Sequence, residues 1–183
     1  MTMSCTRTDQ RGFSLTELML VVAAAGTIMA IALPVMTNLT ASTKLNEAAR
    51  LIEREYQDAR LRAVASNRLL RVRTNCPAAG YVRTVEVLNT AVDTAADRCL
   101  HSAYPFPADA DLMTRPNYDG PVRTIPNGAT ATSAVIEFSP DGSAQLVVGA
   151  VATPIAGSQT ITITRQGLSR TVTINAAGKV QIQ

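Results

Sequence analysis

The chain has 183 residues, a formal net charge of +3 and a single histidine, His101. With no block of like charges, composition makes no case for nucleic acid as the main partner, although local basic patches stay open. One histidine, three cysteines and no glycine-rich phosphate loop leave neither a metal-ligand set nor a catalytic constellation, so no cofactor, metal or enzymatic activity is expected.

Residues 1–12 are polar and include Cys5, Arg7, Asp9 and Arg11. Phe13 to Leu33 then supplies about the 20 apolar residues that a helix needs to cross a bilayer core. The basic lead keeps residues 1–12 in the cytoplasm by the positive-inside bias and sends the C-terminal bulk across. Two other readings of such a start are a cleaved signal peptide, which needs a small-residue cleavage site after the apolar region, and a lipid on Cys5. Here the run is long and passes into Pro34-Val35-Met36. One charge interrupts it, Glu17. A carboxylate at the centre of a membrane helix costs about 2.5–3.5 kcal/mol, less near an end, and such residues usually mark a function with a partner.

Gly12-Phe13-Ser14-Leu15-Thr16-Glu17, with the long apolar run behind it, resembles the processing site of type IV pilins and type II secretion pseudopilins. The resemblance implies that a prepilin peptidase/methyltransferase cuts between Gly12 and Phe13, that Phe13 is N-methylated, and that Glu17 guides assembly. The new amine of Phe13 on one subunit can pair with the carboxylate of Glu17 on a neighbour as the helices bundle. In low dielectric a matched pair is penalised less than two lone charges, so Glu17 is expected to set register. The implied plan is a cleaved cytoplasmic leader (1–12), a transmembrane helix and assembly segment (13–36), and a periplasmic pilin-like globular domain (37–183). Loss of the leader leaves 15 basic and 13 acidic groups.

After the polar stretch Thr37 to Thr43 a helical period resumes. Leu45, Ala48, Ala49, Ile52, Tyr56, Ala59 and Ala63 fall on one stripe, at spacings of three and four. The other face carries Glu47, Arg50, Glu53, Arg54, Asp58 and Arg62, with Asp58 and Arg62 placed for an i,i+4 pair. Taken as one helix, Phe13 to about Ser66 would be roughly 80 Å long, with Gly26 and Pro34 as points that bend or melt. Its apolar stripe must meet a sheet.

Leu70-Arg71-Val72-Arg73-Thr74 alternates and Tyr81 to Leu88 is rich in β-formers, so the two are expected to pair. Asn89 to Thr132, with Pro105, Pro107, Pro116, Pro121 and Pro126, reads as a long surface excursion with little regular structure. Val135-Ile136-Glu137-Phe138 and Gln145-Leu146-Val147-Val148 flank Ser139-Pro140-Asp141-Gly142, a hairpin turn. Thr160 to Thr164 and Thr171 to Ile174 alternate across Arg165-Gln166-Gly167-Leu168, and Lys179-Val180-Gln181-Ile182 closes the chain. The expectation is one antiparallel meander with one apolar face, covered by the helix.

The Asp58-Ala59-Arg60-Leu61-Arg62-Ala63 segment, the Ile136-to-Gly142 hairpin and the terminal strands narrow the resemblance to the GspH/FimT group, pseudopilin H of type II secretion and FimT-like minor pilins. It implies an α+β fold: a long N-terminal helix, part transmembrane and part amphipathic, packed on a C-terminal antiparallel β-sheet. It also implies other pilins or pseudopilins as partners. The implied location is the bacterial inner membrane, single-pass, with the C-terminal domain periplasmic, and then a pilus or pseudopilus. Some members of the group bind DNA through a basic C-terminal Gly-Arg-x-Arg-like motif. The matching place here reads Gly178-Lys179-Val180-Gln181, which has lost the second basic position. Arg165, Arg170 and Lys179 are the candidate phosphate contacts, against the plainer reading of scattered solubilising charges on a polar sheet face.

Cys76 and Cys99 would be the cysteines left after cleavage, in an oxidising compartment for a typical diderm host. A disulfide between them would tie the irregular region to the first strand, and two buried free thiols are the alternative. Two function classes follow: a structural minor pilin or pseudopilin, or a filament-tip binding module that captures DNA or another ligand for uptake or adhesion.

Overall fold

A computed structural model describes residues 14–105 and 119–183, apart from the side chains of residues 33–35. The chain divides into two units, one ending at Thr40 and one spanning Ala41–Gln183. Helix α1 (Leu15–Ser66) is one element of 52 residues. It stays helical through both Gly26 and Pro34, so neither of these expected weak points melts it. A proline removes one i→i−4 hydrogen bond, and helix on both sides retains the rest.

In the first unit α1 begins with a cap that has no counterpart in the sequence-based expectations. Ser14 Oγ accepts a hydrogen bond from the Glu17 amide at 3.2 Å, the arrangement of an N-cap serine with an acid three residues on. Leu18, Leu20 and Ile28 are 59 %, 72 % and 67 % exposed, so the apolar run has no cover from the protein itself. It is long and apolar enough to cross a membrane, with an 18-residue window of mean hydropathy 2.4.

The second unit is α+β. The stripe of α1 from Leu45 to Ala63 is buried as its spacing requires, and its four alanines let the helix come close to the strands. One antiparallel sheet has six strands: β1 (Leu70–Thr74), β2 (Tyr81–Glu86), β3 (Arg123–Thr124), β5 (Val135–Phe138), β6 (Ala144–Val148) and β7 (Val151–Pro154). Their spatial order is β3-β2-β1-β5-β6-β7. The second sheet is built from β4 (Thr130–Ala131), β8 (Ser158–Arg165), β9 (Leu168–Asn175) and β10 (Val180–Ile182), in the order β10-β9-β8-β4. Leu70, Val72, Ile136 and Phe138 of the first sheet share one hydrophobic core with Ile161, Ile163, Val172 and Ile174 of the second. Tyr56 of α1 meets Phe138 edge to face at 6.3 Å between centroids.

The expected pairing of β1 with β2 is present, with Leu70 opposite Glu86 and Thr74 opposite Val82. So is the Ser139–Gly142 hairpin, where Gly142 has φ +84° and its amide donates to Ser139 O at 2.9 Å. Gln166 and Gly167 both take positive φ between β8 and β9, the signature of a two-residue primed turn. The single meander is corrected to two sheets. After β6 a tight turn at Gly149 adds β7, and Ile155 then goes into the core while Gly157, at φ +83°, sends the chain into the second sheet.

Candidate functional site

Gly12 and Phe13 lie outside the described residues. Glu17 sits in the first turn of α1, where a negative charge is favoured by the helix dipole. Its place beside the helix start is thus set twice, by the Ser14 cap and by the dipole.

Cys76 and Cys99 form a disulfide, with Cα atoms 5.2 Å apart. Cys76 follows β1 and Cys99 lies in the excursion, which also contains the short helix α2 (Thr90–Asp93). The excursion is more than a surface loop. Arg71, Arg73 and Arg83 alternate with the core residues of β1 and β2 and so occupy the sheet face opposite α1, where the excursion meets them. Arg71 donates to Glu137 Oε2 of β5 at 2.7 Å and lies 3.7 Å from Asp93. Arg73 donates to the Asp93 carbonyl. Arg83 donates to the carbonyls of Gly120, Cys99 and Tyr104.

Arg98 lies at the centre of this network and is fully buried. It makes a two-point contact with Asp119, donates to the Glu86 carbonyl at 2.8 Å, and stacks 4.6 Å over the Tyr104 ring. Burial alone lowers the pKa of Arg98, but its hydrogen bonds and charge interaction with Asp119 outweigh that and raise it. Burial lowers the pKa of Arg83 and of Arg73, Asp119 offsetting part of the effect at each. A buried guanidinium needs this density of acceptors, since an unpaired one would be costly.

The three candidate phosphate contacts do not form one row. Arg165 and Arg170 share a face, because Arg165 pairs with Leu168 and Arg170 with Ile163 across the β8–β9 hairpin. Arg170 donates to Asn46 Oδ1 of α1 at 2.9 Å, and Arg165 to the Asn127 carbonyl at 2.8 Å. Lys179 precedes β10, where its amide donates to Asn175 Oδ1 at 2.9 Å. Asn175 is five residues along β9 from Arg170, about 17 Å of strand. Gly178 beside it has a structural task. It takes φ +71°, and a Cβ there would lie 2.2 Å from the Gly142 carbonyl oxygen and 2.8 Å from Arg60 Nε.

Sequence reasoning also missed a groove of about 800 Å³ along α1. Its helix side is Thr43, Asn46, Glu47, Arg50, Leu51, Arg54 and Glu55, one flank at spacings of three and four, and Arg123 and Pro126 lie opposite. Arg123 pairs with Glu55 at 3.4 Å, and Asn127 Nδ2 donates to Glu47 at 3.0 Å. Burial raises the Glu55 pKa, with Arg123 opposing it. Outside the groove Asp58 and Arg62 make the expected i,i+4 pair at 2.8 Å. Among the described residues no group of three or more His, Cys, Asp or Glu is placed to hold a metal ion.

A family model described as the prokaryotic N-terminal methylation motif matches residues 7–33. No curated protein matches the chain. Among solved structures it is similar to the type IV minor pilin FimU of Pseudomonas aeruginosa. One crystal form gives 18 % identity over 79 % of this chain and 92 % of that one, with a TM-score of 0.50. A second gives 19 % identity over 76 % and 92 %, with a TM-score of 0.46. The likeness to the first form is one of fold. A further family model, the type II transport protein GspH, matches residues 48–178, well over half of the sequence, and the chain belongs to that pilin-like family.

Proposed function

We propose that this protein is a structural minor pilin or pseudopilin, with no catalytic role, that joins a type II secretion pseudopilus or a type IV pilus. Residues 1–12 are a cytoplasmic leader, 13–36 a single inner-membrane span and assembly segment, and 37–183 a periplasmic domain. A prepilin peptidase/methyltransferase cuts between Gly12 and Phe13 and methylates Phe13. The observation that carries the reading is Glu17, the one acid in the uncovered apolar run that opens α1, held in the first turn behind a Ser14 cap. A carboxylate so placed is stabilised by a cation, and the Phe13 amine of a neighbouring subunit supplies one without a basic side chain in the membrane.

The test is Glu17→Ala in the native host, beside Glu17→Gln, which keeps a polar side chain at the helix start. Both variants should insert and be cleaved, and both should be depleted at least tenfold from sheared filaments. Normal incorporation of either contradicts the pairing. Capture of DNA at the filament is the second reading, and it rests on Arg165 and Arg170 standing on one face. It predicts retention of an oligonucleotide that falls steeply with salt and is lost in Arg165→Ala/Arg170→Ala.

A further inference from the structure

The groove along α1 lies at the edge of the core, against which Leu51 packs, and its charges differ in how they are met. Glu55 has Arg123 and Glu47 has Asn127, whereas the side chains of Arg50 and Arg54 have no ion pair or hydrogen bond among the described residues. Four positions apart, the two arginines stand on successive turns, about 5–6 Å apart at Cβ. Leu51 and Pro126 line the same groove and add apolar contact.

We propose that this groove receives a helix of a neighbouring filament subunit that presents two carboxylates one turn apart to Arg50 and Arg54. The proposal rests on reading the chain as a filament subunit. Charge complementarity selects the occupant. Among the residues that line the groove, the helix flank reads minus at Glu47, plus at Arg50 and Arg54, and minus at Glu55, while Glu53, outside the lining, is met by Gln57. A continuous phosphate backbone laid along that flank would meet Glu47 and Glu55 as well as the arginines. A helix with two acids at i and i+4 matches the arginines and can place neutral residues beside the glutamates. Recognition of this kind acts chiefly on encounter and partner choice, because like charges brought together suppress wrong partners.

The experiment uses the full chain in a filament-producing host, with Arg50→Glu/Arg54→Glu and Arg50→Lys/Arg54→Lys compared with the parent. All three should be processed and held in the membrane equally. The glutamate pair should fall at least tenfold in sheared filaments and the lysine pair should stay within about twofold, since charge and not guanidinium geometry is what the partner reads. Exchange of an acid for lysine in one neighbouring subunit should restore the glutamate pair. Equal incorporation of all three overturns the proposal, as does an equal loss in the lysine pair, which would mean packing. A 20-nucleotide single strand retained by the detergent-purified chain and lost in the glutamate pair, with incorporation unchanged, would reassign the groove to nucleic acid. Absence of the parent itself from filaments would instead fail the underlying reading, and the proposal with it.

Discussion

Gly178 shows how a residue can be visible in a sequence while its reason is not. It stands in the segment compared with a basic C-terminal motif, yet what the fold requires of it is a positive φ and the absence of a Cβ. Arg60 of α1 donates to the Gly142 carbonyl at 3.0 Å, and Gly178 is pressed against both. The helix, the β5–β6 turn and the β9–β10 turn therefore meet at one point. Gly178→Ala should destabilise the globular unit by roughly 2–4 kcal/mol, since it adds a clash to backbone strain. Gly149 is the control. It has φ +64° with nothing within 4 Å of the place a Cβ would take, so alanine there should cost only about 1 kcal/mol. Urea unfolding of the two variants in detergent compares them, and equal losses would contradict the three-way contact.

At the scale of elements, α1 was the most legible part, because Leu45 to Ala63 keep helical spacing and alternate with charge. The hairpins were legible too, since Gly142 and Gly167 sit where their turns need them. The excursion was not. Arg71 and Arg73 alternate with Leu70 and Val72 as solvent-facing residues would, and their partners Glu137 and Asp93 come from other segments. Nothing local in a sequence marks an arginine whose acceptors arrive from the far side of a sheet. The disulfide and this ion network hold the excursion by different means. Cys76→Ser/Cys99→Ser opens a loop of 23-residue separation, worth about 3 kcal/mol in the chain-entropy model. Arg98→Ala takes the two-point partner from buried Asp119, which keeps the Glu86 amide at 3.0 Å and Arg83 at 3.9 Å, so the loss should be about 3 kcal/mol, the low end for breaking a buried pair. Asp119→Leu should cost more, since it leaves Arg98 and Arg83 without that carboxylate and the Glu86 amide without its acceptor. Urea unfolding compares the two, and an Asp119→Leu variant more stable than Arg98→Ala would show that the site is not built around this carboxylate.

For the whole molecule, the sequence pointed to the correct class of fold with one sheet too few. The division depends on Ile155 and Gly157, two residues in a stretch without strand-like alternation that carry the chain from the edge of one sheet to the other. The groove was equally hidden, because its two walls come from residues 43–55 and from residues 123 and 126. The N-terminal methylation motif matched at residues 7–33 was the reverse case. Its residues are few, local and linear, and they would be read the same way whatever the globular unit looked like. The central claim is that this chain is cut and built into a filament, and intact mass of the protein from membranes of its native host tests it most directly. The mass should correspond to a chain beginning at N-methylated Phe13, with the Cys76–Cys99 disulfide closed. A chain that retains residues 1–12, or begins anywhere else, would contradict the account.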